Sequence, residues 1–250
     1  MKDNIVRYCQ QIEKEYNVKI LFAIESGSRL WRMASADSDY DVRFVFVQPI
    51  NNYLSLNSNA RELVINKNYE GKLIDMSGFD IFKFCKLLAR SNPSIIEWLQ
   101  SDILYYGTKP ARLKKIALTN FNPRALYYHY KSMCRKNYEK YLTSNKQVSY
   151  KKYLYSMRGL VNAKYVAKTG KLPKIRFPEM LTKELLSQKV LTELQDTIEK
   201  KKIGNEKEII KNNRTYDDYI ENFLKKDLAV EERKIDTATI NRELQRIVMK

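Results

Sequence analysis

Cysteine is scarce in this 250-residue chain. Cys9, Cys85 and Cys134 are far apart, odd in number and never in a C-x-x-C pair. Neither a disulfide framework nor a zinc site is indicated, and all three are expected as small core residues. Long apolar runs are also missing. None approaches the roughly 18 to 20 residues that a membrane span needs. Met1-Lys2-Asp3-Asn4 passes directly into an amphipathic pattern without a signal-peptide core, so a cytoplasmic location without membrane association is expected. No internal repeat or low-complexity tract stands out.

Acids are the most unevenly missing residue type. Between Lys109 and Arg176 there are 18 Lys and Arg but only one acid, Glu139, so this segment carries +17, the formal net charge of the whole chain. A field that concentrated attracts polyanions, and Tyr127, Tyr128, Tyr130, Tyr138, Tyr141, Tyr150, Tyr153, Tyr155 and Tyr165 lie within it as candidate stacking partners for bases. The plainer alternative is a solvated basic helical surface.

With 44% hydrophobic residues the chain can bury a real core, as one large domain or two small ones. Ile5, Tyr8, Cys9, Ile12 and Tyr16 recur at helical spacing, and a β-rich run from Val18 to Ile24 stops at Glu25-Ser26-Gly27-Ser28. A second strand is expected over 40–47, ended by Pro49, and a third over 70–76. Helices are expected over 79–89 and from Pro93 through Leu99. Gly107-Thr108-Lys109-Pro110 is the best boundary signal. Beyond it the patterns are helical: 110–118, 123–142, 149–169, 181–202, 215–226 and 231–248, with an exposed loop over 200–214.

The chemistry lies in the first half. Glycine at 27 lets the backbone approach a phosphate, while free amides and the Ser28 hydroxyl donate to its oxygens. Asp39 and Asp41, at i and i+2 entering a strand, share a face. Hard oxygens so placed suit magnesium, which takes one or two carboxylates plus substrate phosphates, and two such ions can bridge a triphosphate and an attacking hydroxyl. Asp75 is the best third carboxylate, a lone charge among apolar neighbours. Asp80 is the alternative, and it could instead cap the next helix. Glu25 is expected at a strand end facing solvent. Arg29 follows the loop as a candidate triphosphate contact, and Arg43 is placed to orient Asp41.

Glu25-Ser26-Gly27-Ser28-Arg29 followed by Asp37-Ser38-Asp39-Tyr40-Asp41-Val42-Arg43-Phe44 resembles the DNA polymerase beta nucleotidyltransferase superfamily. More narrowly, it is similar to a bacterial and phage branch of predicted nucleotidyltransferases, some associated with RNA-repair operons. The resemblance continues through Ser91-Asn92-Pro93, Glu97-Trp98-Leu99, Tyr127 to Lys136 and Lys151 to Arg158, covering about residues 20–180. It implies an α+β fold: a mixed-sheet catalytic core, residues 1–108, followed by an all-helical basic domain, 109–250, that covers the nucleotide cleft. Ser28 would bind the triphosphate. Asp39, Asp41 and Asp75 would hold magnesium, with manganese able to substitute, and pyrophosphate would leave. One departure is Trp31-Arg32, where relatives commonly carry an aromatic residue followed by glycine.

In the basic half, Lys151, Lys152 and Arg158 can share a helix face and neutralise charge on the leaving pyrophosphate, and Tyr155 could stack on the base. His129 is open between a general-acid or phosphate role and packing. Asn92, Glu97 and Trp98 are expected to organise the junction of the halves. For the acceptor, an RNA end reached through residues 109–176 is the first reading, with AMP transfer to a protein hydroxyl second. A binding module with an inactive core is the third. Aminoglycoside modification is disfavoured, because a polycationic drug needs an acidic cleft.

Overall fold

The computed structural model describes residues 1–56, 61–143, 148–204 and 208–249. The chain forms two compact units, Met1–Leu30 with Asp39–Phe121 and Lys234–Lys250, and Trp31–Ser38 with Asn122–Arg233. This division crosses the 108/109 boundary drawn from sequence. Residues 109–121 and the last helix pack with the first unit, and an eight-residue insert, 31–38, packs with the second.

In the first unit, Ile5, Cys9 and Ile12 form the apolar stripe of α1 (Lys2–Tyr16), which ends on Asn17 in the left-handed region. The elements that follow are β1 (Lys19–Glu25), α2 (Gly27–Leu30), β2 (Tyr40–Val47), α3 (Ile50–Tyr53), β3 (Glu62–Tyr69), β4 (Lys72–Asp80), α4 (Ile81–Leu88), α5 (Pro93–Gln100), β5 (Leu104–Gly107) and α6 (Ala111–Thr119). The sheet order is β3-β4-β2-β1-β5. All pairings are antiparallel except β2 with β4. The α1 stripe packs on Ala23, Val42, Phe44, Phe46, Ile74 and Met76. Phe22 meets Phe84 of α4 edge-on, and Trp98 of α5 stacks on Phe79, so β1 contributes to apolar layers on both faces and reads as a continuous apolar run.

The expected third strand spans a turn. Glu70 and Gly71, both at positive φ, join β3 to β4 in a tight hairpin, and the strand proper begins at Lys72. Asp80 caps α4 by accepting from the Phe82 amide. Asn92 caps α5, so Asn92 and Trp98 organise the helical layer of the first unit.

The second unit contains α7 (Pro123–Tyr141), β6 (Val148–Ser149), α8 (Tyr150–Thr169), α9 (Gln188–Ile203), β7 (Ile209–Ile210) and α10 (Arg214–Lys225); α11 (Thr237–Val248) returns to the first unit. It is helical except for the two-residue pair of β6 with β7, which falls partly in the expected 200–214 loop. Residues 205–207 of that loop lie outside the described residues. The helices α7 and α8 cross closely at Gly159, where a Cβ would stand 2.8 Å from the Cys134 amide nitrogen and 2.9 Å from the Tyr130 carbonyl oxygen. Among the described residues no helix is long and apolar enough to cross a membrane.

All three cysteines are buried, as expected. Burial pushes the thiols of Cys9 and Cys85 up to about 12 and that of Cys134 up to about 11. Thiolate is the reactive form, so the native protein at pH 8 should react with a thiol reagent at least about a hundredfold more slowly than the same protein in denaturant. Absorbance of the released chromophore measures both rates.

Candidate active site

The strand β1 delivers the chain to a turn in which the Ser26 amide donates to the Asp41 carbonyl, 2.8 Å, binding the loop to the start of β2. Gly27 has φ of 61°. A Cβ there would lie 1.9 Å from Asp41 Oδ2, so only glycine lets this carboxylate rest against the loop backbone. Ser28 is buried at the first turn of α2. Arg29 donates from Nε to the Asp39 carbonyl at 3.1 Å and lies over the Tyr40 ring at 3.9 Å, which ties the loop to the acidic strand.

Asp41 and Asp75 are direct register partners on the parallel strands β2 and β4, so two carboxylates meet side by side at one end of the sheet. Arg43 stands between them. Its Nη2 donates to Asp41 Oδ1 at 3.2 Å and Asp75 Oδ2 at 2.8 Å, while Nη1 donates to the main-chain oxygens of Asp75, 2.9 Å, and Val42, 3.0 Å. Arg43 thus reaches both acids and not Asp41 alone. Asp80, the alternative third acid, is fully buried. Its oxygens accept from Phe82 N, Arg61, Tyr53 and Gln48, which leaves it a helix cap with its acceptors occupied.

Glu25 corrects an expectation. It does not face solvent: it is completely buried, Oε1 accepting from the Asp41 amide at 2.9 Å and Oε2 from the Tyr105 hydroxyl at 2.5 Å. Burial pushes its carboxyl up to about 7, against the lowering effect of those two hydrogen bonds. The partner Tyr105 sits on β5, a four-residue strand too short for its pattern to be read.

The donor set suits magnesium: hard carboxylate oxygens, and a glycine cradle in which Asp41 is held by contact. Among the described residues no three metal-ligating side chains converge into a ready cluster. An ion held by Asp39, Asp41 and Asp75 would therefore complete its shell with water and phosphate oxygens, as magnesium commonly does.

In the second unit, α8 sorts its basic residues by helical phase. Lys151, Tyr155 and Arg158, at i, i+4 and i+7, share one face. Lys151 Nζ lies over the Tyr155 ring, Tyr155 meets Trp31 edge-on at 5.5 Å, and Arg158 is buried on the Trp31 ring at 3.7 Å. Lys152 is on a different face, over Tyr141. Trp31, the departure noted in the sequence, is thus the anchor of the 31–38 insert. Its carbonyl accepts from Phe177 N, and the buried Lys201 holds the Met33 carbonyl at 2.7 Å.

Two readings of the basic segment need correction. Tyr127, Tyr130, Tyr138 and Tyr153 are buried and unavailable for stacking, because a tyrosine on the inner side of a helix packs its ring there and hydrogen-bonds its hydroxyl. Tyr138, for example, donates to Glu221 and Tyr153 to Asp217. The charge is also less one-sided than the sequence suggests. Lys131 pairs with Asp227 and Arg124 with Glu232, and both Lys174 and Arg176 reach Glu179. His129 is half-buried on α7 among these tyrosines.

The model of the RNA repair pathway DNA polymerase beta family, RlaP, matches residues 1–250. The chain belongs to this family. It is therefore a nucleotidyltransferase, and its mixed sheet is the polymerase beta-like core. A protein of Bacillus subtilis (strain 168), the uncharacterized YcgL, is 33% identical over 252 residues, covering 100% of this chain and 95% of that one. Two solved structures are more distant. One is a nucleotidyltransferase-like protein from Exiguobacterium sibiricum 255-15, at 12% identity over 88% of this chain and 74% of that one, with TM-score 0.32. The other is the spectinomycin adenyltransferase AAD(9) from Enterococcus faecialis, at 12% identity over 90% and 98%, with TM-score 0.48. Family membership rests on the whole-chain match and not on these two likenesses.

Proposed function

We propose that the chain transfers a nucleoside monophosphate from a nucleoside triphosphate to a hydroxyl at an RNA end, releasing pyrophosphate. The observation that carries this reading is the corner where Asp41 rests on the Gly27 backbone with Asp75 beside it in register. The Ser28 hydroxyl and the loop amides take the triphosphate oxygens. Asp39, Asp41 and Asp75 would hold magnesium, which would neutralise phosphate charge when bound. The acceptor oxygen bonds to the α-phosphorus as the bond to the bridging oxygen of pyrophosphate breaks, and the acceptor proton passes to the Asp75 carboxylate and from it to solvent. Arg29 steadies the loop through Asp39 and Tyr40.

RNA as acceptor is supported by the family's description and by the basic residues of α7 and α8. Within the second unit we assign the α8 face of Lys151 and Tyr155, with Arg158 buried against Trp31, to a phosphate-bearing ligand, and Lys152, over Tyr141, to the RNA backbone. The deciding experiment incubates the protein with magnesium, each α-labelled nucleoside triphosphate, and either RNA or cell lysate. Label in RNA is the expected outcome; label in a protein band would replace RNA with a protein hydroxyl as acceptor.

RNA binding should weaken with salt. For single strands log K falls with log salt at about −0.7 per phosphate neutralised, so replacing Lys152 by glutamine should flatten the slope by about 0.7. Fluorescence anisotropy across a salt series measures it, and affinity indifferent to salt contradicts the polyanion reading.

A further inference from the structure

The carboxylates assigned to the metal are already engaged by a cation belonging to the chain. A single nitrogen, Arg43 Nη2, touches both Asp41 Oδ1 and Asp75 Oδ2, the side-chain oxygens of the two register partners. The three side chains are only partly exposed, at 19% for Arg43, 27% for Asp41 and 30% for Asp75, so their charges are screened less than on an open surface. Arginine cannot yield by losing its proton. A divalent ion that draws these oxygens to about 2.1 Å meets a guanidinium on the same atoms, and like charges there repel.

The arrangement also shows how the guanidinium can give way. Nη1 is anchored on two main-chain oxygens, those of Asp75 and Val42, independently of either carboxylate. Nη2 can therefore swing from the side-chain oxygens while the head stays at the site. Within the reading of Asp41 and Asp75 as metal ligands, we propose that Arg43 is a resident counter-ion that competes with the incoming divalent ion for both carboxylates and so weakens metal binding. Its job is to neutralise two adjacent carboxylates until the ion, arriving with an anionic triphosphate, replaces it. Displaced Nη2 then faces the phosphates as a donor.

The test is a titration of manganese alone into the full chain, followed by electron paramagnetic resonance of the free ion, with no nucleotide and no activity readout. Arg43→Gln should bind manganese about tenfold or more tightly than the wild type. Arg43→Lys, a point charge in place of a fork, should fall between them. Without added metal Arg43→Gln should melt below the wild type, and manganese should raise its Tm by more than it raises the wild type's. Both variants binding manganese with wild-type affinity or more weakly would overturn the proposal, because Arg43 would then be a fixed support for the acids. Asp41→Asn in the wild-type background is the separate control: if manganese binding survives it unchanged, the metal assignment itself fails, whatever the Arg43 variants do.

Discussion

Replacing Gly27 by alanine is expected to lower transfer by about a hundredfold or more while the chain remains folded. Two costs combine. Alanine at φ of 61° carries a left-handed strain of about 1 to 2 kcal/mol, which a protein of this size can bear. The second cost falls on the chemistry. The added carbon would lie 1.9 Å from Asp41 Oδ2, so either the loop or the carboxylate must move by an ångström or more. Displacements of that size in a reacting site cost about a hundredfold in rate. Gly71 separates the two effects. It has φ of 74° in the β3–β4 turn, and a Cβ there has nothing within 4 Å. Gly71→Ala should therefore lower Tm through strain alone and leave the rate unchanged. Steady-state transfer and thermal melting of the two variants measure both effects, and equal losses of rate would refute the steric account.

The second large effect concerns Glu25. Glu25→Ala should destabilise the protein by about 2 to 5 kcal/mol, because it leaves the Asp41 amide and the Tyr105 hydroxyl facing an emptied, buried acceptor position. Glu25→Gln should cost about 1 kcal/mol or less, since the amide oxygen can still accept and the Tyr105 hydroxyl can turn to accept from the amide nitrogen. The comparison in urea unfolding reads the difference directly. Equal losses for alanine and glutamine would mean that the charge, and not the hydrogen bonds, is what the fold requires. The burial that raises this carboxyl to about 7 argues the opposite, because it penalises the charged form.

Much of the first unit was legible because its signals are local. The strand over 40–47 has the limits that alternation and Pro49 set for it, and Asp75 is the register partner of Asp41. What escaped was nonlocal or short. β3 is an edge strand whose inner face, Leu63, Ile65 and Tyr69, is interrupted by Lys67 and whose outer face carries the largely exposed Val64, so its alternation in the sequence is weak. β5 has four residues and was absorbed into the boundary signal at Gly107. Glu25 was misjudged because its partners lie 16 and 80 residues away along the chain. The helical unit shows the same limit. Basic residues were visible, but their acidic partners Asp227 and Glu232 lie a hundred residues later. Helical phase could have separated Lys152 from Lys151 and Arg158. That Trp31 would be the surface beneath Arg158 could not be read from spacing.

The central claim is that the corner of Gly27, Ser28, Asp39, Asp41 and Asp75 performs the transfer. Its most direct test is the rate of α-labelled nucleotide incorporation into RNA by the wild type and by the Asp39→Ala/Asp41→Ala double variant, with equal folding verified by melting. The wild type should label RNA, and the double variant should fall by at least about a thousandfold. Undiminished labelling by the double variant would contradict the assignment of the site.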